Sequence, residues 1–205
     1  MMSEFDTKAR EWDNDQRHVN RAAAVAAEIK KRIPLRPGMK ALEYGSGTGL
    51  LSFELKDAFT EIVLMDNSQE MIRVCEEKSA YYQTPHIQPV WFDLEHKDYP
   101  AKFDIIYSLM VLHHVTDMDT LLHRFSGMLN PNGIMVIADL YEEDGSFHDF
   151  KEDVHKGFDP EQLLDVLEEK GFDRGQYVPC YQVKRPNGRD YPVFLLWAGK
   201  GALGH

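Results

Sequence analysis

The chain has 205 residues, with 23 Lys and Arg against 34 Asp and Glu, giving a formal net charge of −11 at pH 7. With 43% hydrophobic residues it can bury a core, and the length suits one continuous domain over residues 1–205 rather than two thin ones. The acidic balance argues against a reader of nucleic-acid phosphates, no apolar run approaches the roughly 20 residues of a membrane helix, and the start has neither a basic nor an apolar leader region.

Residues 1–36 are expected to be helical. Val19, Ala22, Ala23, Ala26, Ile29 and Ile33 recur at helical spacing, and Pro34 stops the run. Phe5 and Trp12 read as anchors of a lid over a ligand, or of a plain surface helix. Met39–Tyr44 reads as a strand leading into Gly45-Ser46-Gly47-Thr48-Gly49, and Leu50, Leu51, Phe53 and Leu55 as the helix after it. A second strand, Glu61–Met65, ends at Asp66, and Ser68–Ala80 is helical. A third strand, His86–Phe92, ends at Asp93. The fourth, Phe103–Leu109, is almost wholly apolar, as a strand buried on both faces should be. Asp119–Leu129 is expected to be a helix closed by the turn Asn130-Pro131-Asn132-Gly133, and Ile134–Leu140 a fifth strand. Residues 141–158 are polar and read as an insertion on the substrate side. Asp159, Pro160 and Gln162 mark a helix start, with Gly171 as its stop. Gln176–Lys184 and Tyr191–Ala198 then form a hairpin around an Asn-Gly turn. Strands alternating with helices predict an α/β fold with a mainly parallel sheet, a Rossmann-like doubly wound arrangement.

The glycine loop sits between a strand and a helix, where backbone can approach a ligand that a Cβ would exclude. Two ligand classes fit poorly. A dinucleotide fingerprint wants Gly or Ala where Leu50 stands, and a phosphate loop wants Gly-Lys-Ser/Thr. Glu43, just before the first glycine, disfavours a pyrophosphate and favours a ligand carrying an ammonium. Asp66 and Asp93 end strands on the same edge, where carboxylates accept from hydroxyl or amino donors, or cap the next turn. The chain has no Tyr-x-x-x-Lys pair, which weakens a nicotinamide-dependent short-chain reductase as the alternative.

On the glycine loop, the acidic strand ends and the terminal hairpin, the sequence resembles the class I S-adenosylmethionine-dependent methyltransferases. Through Ser108-Leu109-Met110-Val111-Leu112-His113-His114-Val115 it is most similar to their small-molecule, ubiquinone/menaquinone-biosynthesis-like branch. The resemblance implies a seven-stranded sheet in the order 3-2-1-4-5-7-6, with strand 7 antiparallel. It implies S-adenosyl-L-methionine as cofactor, with the methionine moiety at Glu43, Gly45, Ser46, Gly47, Gly49 and Leu109. The ribose falls to Asp66, the adenine to Asp93 and Leu94, and the wall between them to Asn67 and Met71.

The expected reaction is methyl transfer to a small molecule by one in-line displacement, in which the protein supplies mainly proximity and desolvation. His113 is the first candidate for a general base, with Tyr141 and His155 next. No metal is expected, because Asp139, His148 and His155 match no compact ligand spacing. Cys75 and Cys180 are isolated and suit a reducing cytoplasm. A fold that holds the cofactor without transferring a methyl group is the non-enzymatic alternative.

Overall fold

A computed structural model of the chain describes residues 4–149 and 154–201. Its strands are β1 (Lys40–Tyr44), β2 (Glu61–Asp66), β3 (Ile87–Trp91), β4 (Phe103–Leu109), β5 (Leu129–Leu140), β6 (Gln176–Lys184) and β7 (Asp190–Gly199). The helices are α1 (Glu4–Lys8), α2 (Gln16–Arg32), α3 (Leu50–Leu55), α4 (Gln69–Tyr81), α5 (Met118–Met128) and α6 (Pro160–Glu169). The seven strands take the order β3-β2-β1-β4-β5-β7-β6, and β7 runs antiparallel to both neighbours, as the resemblance implies. The chain gathers into two compact units, Met1–Lys97 and Asp98–His205. Among the described residues no helix is long and apolar enough to cross a membrane.

In the first unit β1, β2 and β3 are parallel neighbours. Their central residues are apolar because helices cover the sheet. Leu42, Ile62, Leu64 and Met65 are fully buried, as are Val25 and Ile29 of α2 and Leu55 of α3. Asp15 caps α2 by accepting from the Arg17 N–H at 2.9 Å, which starts that helix before its apolar stripe. Ser68 caps α4 through the Met71 N–H.

In the second unit β4 pairs with β5 in parallel, but their register jumps between Phe103 and Ile105. The stretch Asn130–Gly133, expected as a plain turn, is thus a bulged excursion within β5, with Asn132 at φ 62°. The start of α6 is as read. Pro160 is the first residue and Asp159 caps it through the Glu161 N–H, while Gln162 reaches the cap's carboxylate rather than its backbone. The part of the insertion at 150–153 lies outside the described residues. Its ends are joined by a bridge between Tyr141 and Phe158. Gly157 permits that closure: it holds φ 77°, and a Cβ there would fall 2.2 Å from the Tyr141 carbonyl oxygen.

Candidate functional site

The first unit builds its candidate site at the carboxyl ends of β1 and β2. The loop after Tyr44 turns through positive φ at its three glycines, 63°, 52° and 77°. The Gly47 N–H donates to Asp66 Oδ2 at 2.8 Å, and the Ser68 N–H donates to Asp66 Oδ1 at 2.8 Å. One carboxylate therefore orders the glycine loop and the first turn of α4 together. Burial raises the Asp66 carboxyl above its ordinary value, against the pull of those two donors. Ser46 belongs to the same turn, its N–H donating to the Met65 carbonyl at 3.0 Å.

Glu43 is only 3% exposed, and its Oε2 accepts from the Ser52 hydroxyl at 2.5 Å and the Ser52 N–H at 3.2 Å. Burial pushes its carboxyl up to about 8, opposed by Ser52 and by the charge of Lys78. The sequence argument treats Glu43 as a standing negative charge. Burial instead favours its protonated form, against the opposing charge of Lys78.

The remaining first-unit candidates are spread more widely. Met71 is buried, and its sulfur lies 4.0 Å from the place a Cβ on Gly47 would take. Asn67 is exposed, with its carbonyl accepting from the Trp91 indole at 3.0 Å. Leu94 is buried. Asp93 is already engaged in its own turn, accepting from the Glu95 N–H at 3.1 Å and lying 2.9 Å from His96 Nδ1. The N-terminal segment is fastened to this site. Asp13 accepts from the Thr48 hydroxyl at 2.5 Å and from Lys78 Nζ at 2.8 Å, and Asp6 accepts from the Ser68 hydroxyl at 2.6 Å. No sequence signal links residues so far apart.

The second unit has its own cluster, at the carboxyl ends of β4 and β5. After Leu109 the chain bends sharply at Met110, φ 58°, whose N–H donates to the Ala138 carbonyl at 2.8 Å. A single 3-10 turn, Leu112–His114, follows. Asp139 lies at the end of β5, fully buried. It accepts from His113 Nδ1 at 2.5 Å, from the Leu112 N–H at 2.9 Å and from the Leu140 N–H at 2.7 Å. Burial works against ionisation, but the His113 charge and the three donors outweigh it and hold the carboxyl below the usual carboxylate range. His113 is thus oriented through Nδ1, which turns its Nε2 away from the carboxylate.

The other two candidates stand apart from that ring. The His155 ring is exposed and stacks on Phe158 at 4.5 Å; it meets His113 only by donating its backbone N–H to the His113 carbonyl at 2.8 Å. Tyr141 packs edge-on against Phe194, and desolvation lifts its phenol further above neutrality, which weakens it as a base. The sequence reading missed Asp139 as the partner of His113. It lies at the carboxyl end of its strand, as Asp66 does, and that shared position was the available signal.

The methyltransferase domain family model matches residues 16–174. The chain belongs to this family. Among its methyltransferase relatives, an uncharacterized methyltransferase of Schizosaccharomyces pombe is 26% identical over 160 residues, 70% of this chain and 56% of that protein. A ubiquinone biosynthesis O-methyltransferase of Azorhizobium caulinodans is 33% identical over 117 residues, 55% of this chain and 46% of the relative. The chain thus spans about half the length of these curated relatives. Among solved methyltransferases, Haemonchus contortus phosphoethanolamine N-methyltransferase 2, in complex with S-adenosyl-L-methionine, shares the fold with a TM-score of 0.72 at 16% identity. That likeness covers 86% of this chain and 52% of the other.

Proposed function

We propose that the protein transfers a methyl group from S-adenosyl-L-methionine to a small-molecule acceptor in the cytoplasm. The observation that carries this is the Asp66 carboxylate holding the Gly47 N–H at the strand ends of a chain in the methyltransferase family. The cofactor's methionine part is assigned to Glu43, Gly45, Ser46, Gly47 and Gly49, with Leu109 beside it. Asp66 takes the ribose, Asp93 and Leu94 the adenine, and Asn67 and Met71 the wall between. Asp66 keeps acceptor capacity beyond its two backbone donors, because a carboxylate has about four lone-pair sites.

Transfer from a sulfonium needs only an aligned nucleophile, so the protein's main contributions are orientation and exclusion of water. Where the acceptor is a hydroxyl or thiol, His113 Nε2 takes the proton, and Asp139 steadies the imidazolium that results. The family match gives the reductase alternative no support.

Calorimetric titration with S-adenosylmethionine, S-adenosylhomocysteine and NADH tests the cofactor. Affinity for the first two and none for NADH is expected; the reverse overturns the assignment. Acceptor panels read by mass spectrometry then test transfer. Cofactor binding with no methylated product in any extract fraction would favour the non-enzymatic reading.

A further inference from the structure

We propose that His113, His114 and His148 form a binding site for one divalent transition-metal cation of the zinc class. The ligand atoms of these three side chains all lie within 4.8 Å of one another. Among the described residues they are the one group of three or more His, Cys, Asp or Glu side chains that converges in this way. The three rings pack against one another, with centroids 4.2 Å apart for His113 and His114 and 4.9 Å for His113 and His148, both pairs tilted, and 5.1 Å for His114 and His148, which meet edge to face.

Proximity of histidines alone is weak; the support behind one of them is the stronger observation. Asp139 fixes His113 through Nδ1 and leaves Nε2 turned away from the carboxylate. A carboxylate behind an imidazole sets its tautomer and raises its basicity as a ligand, the usual arrangement behind a metal-bound histidine. Asp139 is held in turn by two backbone N–H groups, so the unit carboxylate–His113 is rigid before any cation arrives.

The other two ligands lie nearer solvent. His114 is exposed and His148 is half-buried, on the short 3-10 turn Ser146–His148. Zinc–nitrogen bonds of about 2.0–2.1 Å need ligand atoms roughly 3.4 Å apart in a tetrahedron. The ligand atoms now lie within 4.8 Å of one another, so binding a cation would draw the rings inward.

Three neutral imidazoles suit zinc, copper, iron or nickel rather than magnesium or calcium. They also leave a coordination position for water or for an anionic oxygen or sulfur. The set differs from the one weighed in the sequence. There Asp139, His148 and His155 are sorted by spacing, whereas the fold puts Asp139 behind a ligand and His155 outside the cluster. The same Nε2 that accepts a proton in the metal-free protein is the atom that would bind the cation, and both uses need the neutral ring.

The test uses chelator-treated full-length protein without cofactor, titrated with Zn²⁺ by calorimetry and with Co²⁺ by absorption. One equivalent should bind, with visible bands of a nitrogen-ligated cobalt and no thiolate charge transfer. His114→Ala and His148→Ala should each weaken zinc by more than about 100-fold, and Asp139→Asn by about 10- to 100-fold. His123→Ala, an exposed histidine on α5, should change nothing. Circular dichroism identifies any variant that fails to fold, and Co²⁺ spectra of the exposed-site variant His114→Ala then decide. Wild-type affinity in His114→Ala and His148→Ala, or a thiolate band, overturns the proposal. Zinc binding is read here without a methyl donor, so it stands or falls separately from methyl transfer, which the acceptor panels test.

Discussion

The Thr48 hydroxyl, in the middle of the glycine loop, donates to Asp13 Oδ1 at 2.5 Å across 35 positions of sequence. Lys78 Nζ joins them, bonding Asp13 Oδ2 and the Thr48 carbonyl, both at 2.8 Å. The loop conformation and the docking of the N-terminal segment are therefore one equilibrium. Thr48 is buried, so Asp13→Ala leaves its hydroxyl without this acceptor. The variant should expose Arg10 and Arg17 to faster tryptic cleavage. It should also weaken S-adenosylmethionine by roughly 2- to 10-fold, the worth of one hydrogen bond. Equal digestion rates in the two proteins would mean that the segment does not act as a lid.

Asp66→Ala should cost more. It removes the acceptor proposed for the ribose hydroxyls and also frees the Gly47 and Ser68 N–H groups. Bonds to a charged group are worth about 1.5–3 kcal/mol, so the cofactor dissociation constant should rise by about 10- to 150-fold. Asp66→Asn, which keeps one acceptor oxygen, should fall between. An unchanged constant in the alanine variant would leave Asp66 as a cap for its turn and nothing more.

Glu43 gives a pH signature. Its folded value near 8 lies above the ordinary 4.5, so the native protein keeps a proton that the unfolded chain has already released. The stabilising contribution is complete below about pH 4.5 and disappears as pH rises through 8. A cationic ligand seated beside Glu43 should expel that proton. Calorimetry at pH 7 in buffers of different ionisation enthalpy should show up to one proton released on binding S-adenosylmethionine. Glu43→Gln should abolish the release, and a release that persists in that variant would place the ligand's charge elsewhere.

His113 should govern turnover rather than cofactor affinity. His113→Ala would strand the buried Asp139 carboxylate, a loss of about 3–5 kcal/mol when a buried pair is broken, so His113→Gln is the better probe because its amide can still donate. In chelator-treated enzyme, the glutamine variant should bind S-adenosylmethionine normally and turn over about 10²- to 10⁴-fold more slowly with a protonated acceptor. Full turnover would remove His113 from the chemistry. An affinity loss that accounts for the whole defect would move it to the cofactor.

What the sequence discloses follows the range of the forces involved. The limits of β4 are read to the residue because Phe103–Leu109 is buried on both faces and the apolar run says so directly. The start of α2 is read late, since Gln16, Arg17 and His18 are polar and the cap is Asp15. Asn130-Pro131-Asn132-Gly133 carries turn chemistry, and only the pairing with β4 draws it into a bulged strand. The glycine loop and the acid at the end of β2 are visible because strand ends mark a ligand edge in α/β sheets. The ties Asp13–Thr48 and Asp139–His113 are not, since each joins segments that only the finished fold brings together.

The position of β7 constrains how the chain comes to its native state during synthesis. It lies between β5 and β6, although it follows both in sequence. When Gln176–Lys184 leaves the ribosome, neither of its edges has a strand to pair with, and β5 still presents the edge that β7 will occupy. Domains fold as they emerge only when their partners are already made. The first unit can therefore pair β1, β2 and β3 while translation continues, whereas the second, after pairing β4 with β5, completes its sheet only when Asp190–Gly199 emerges. In that interval the side of β5 carrying Ile134–Leu140 is an open template for another nascent chain. A ribosome stalled before Asp190 would hold a chain in which β5 lacks its β7 neighbour and β6 has no partner to pair with.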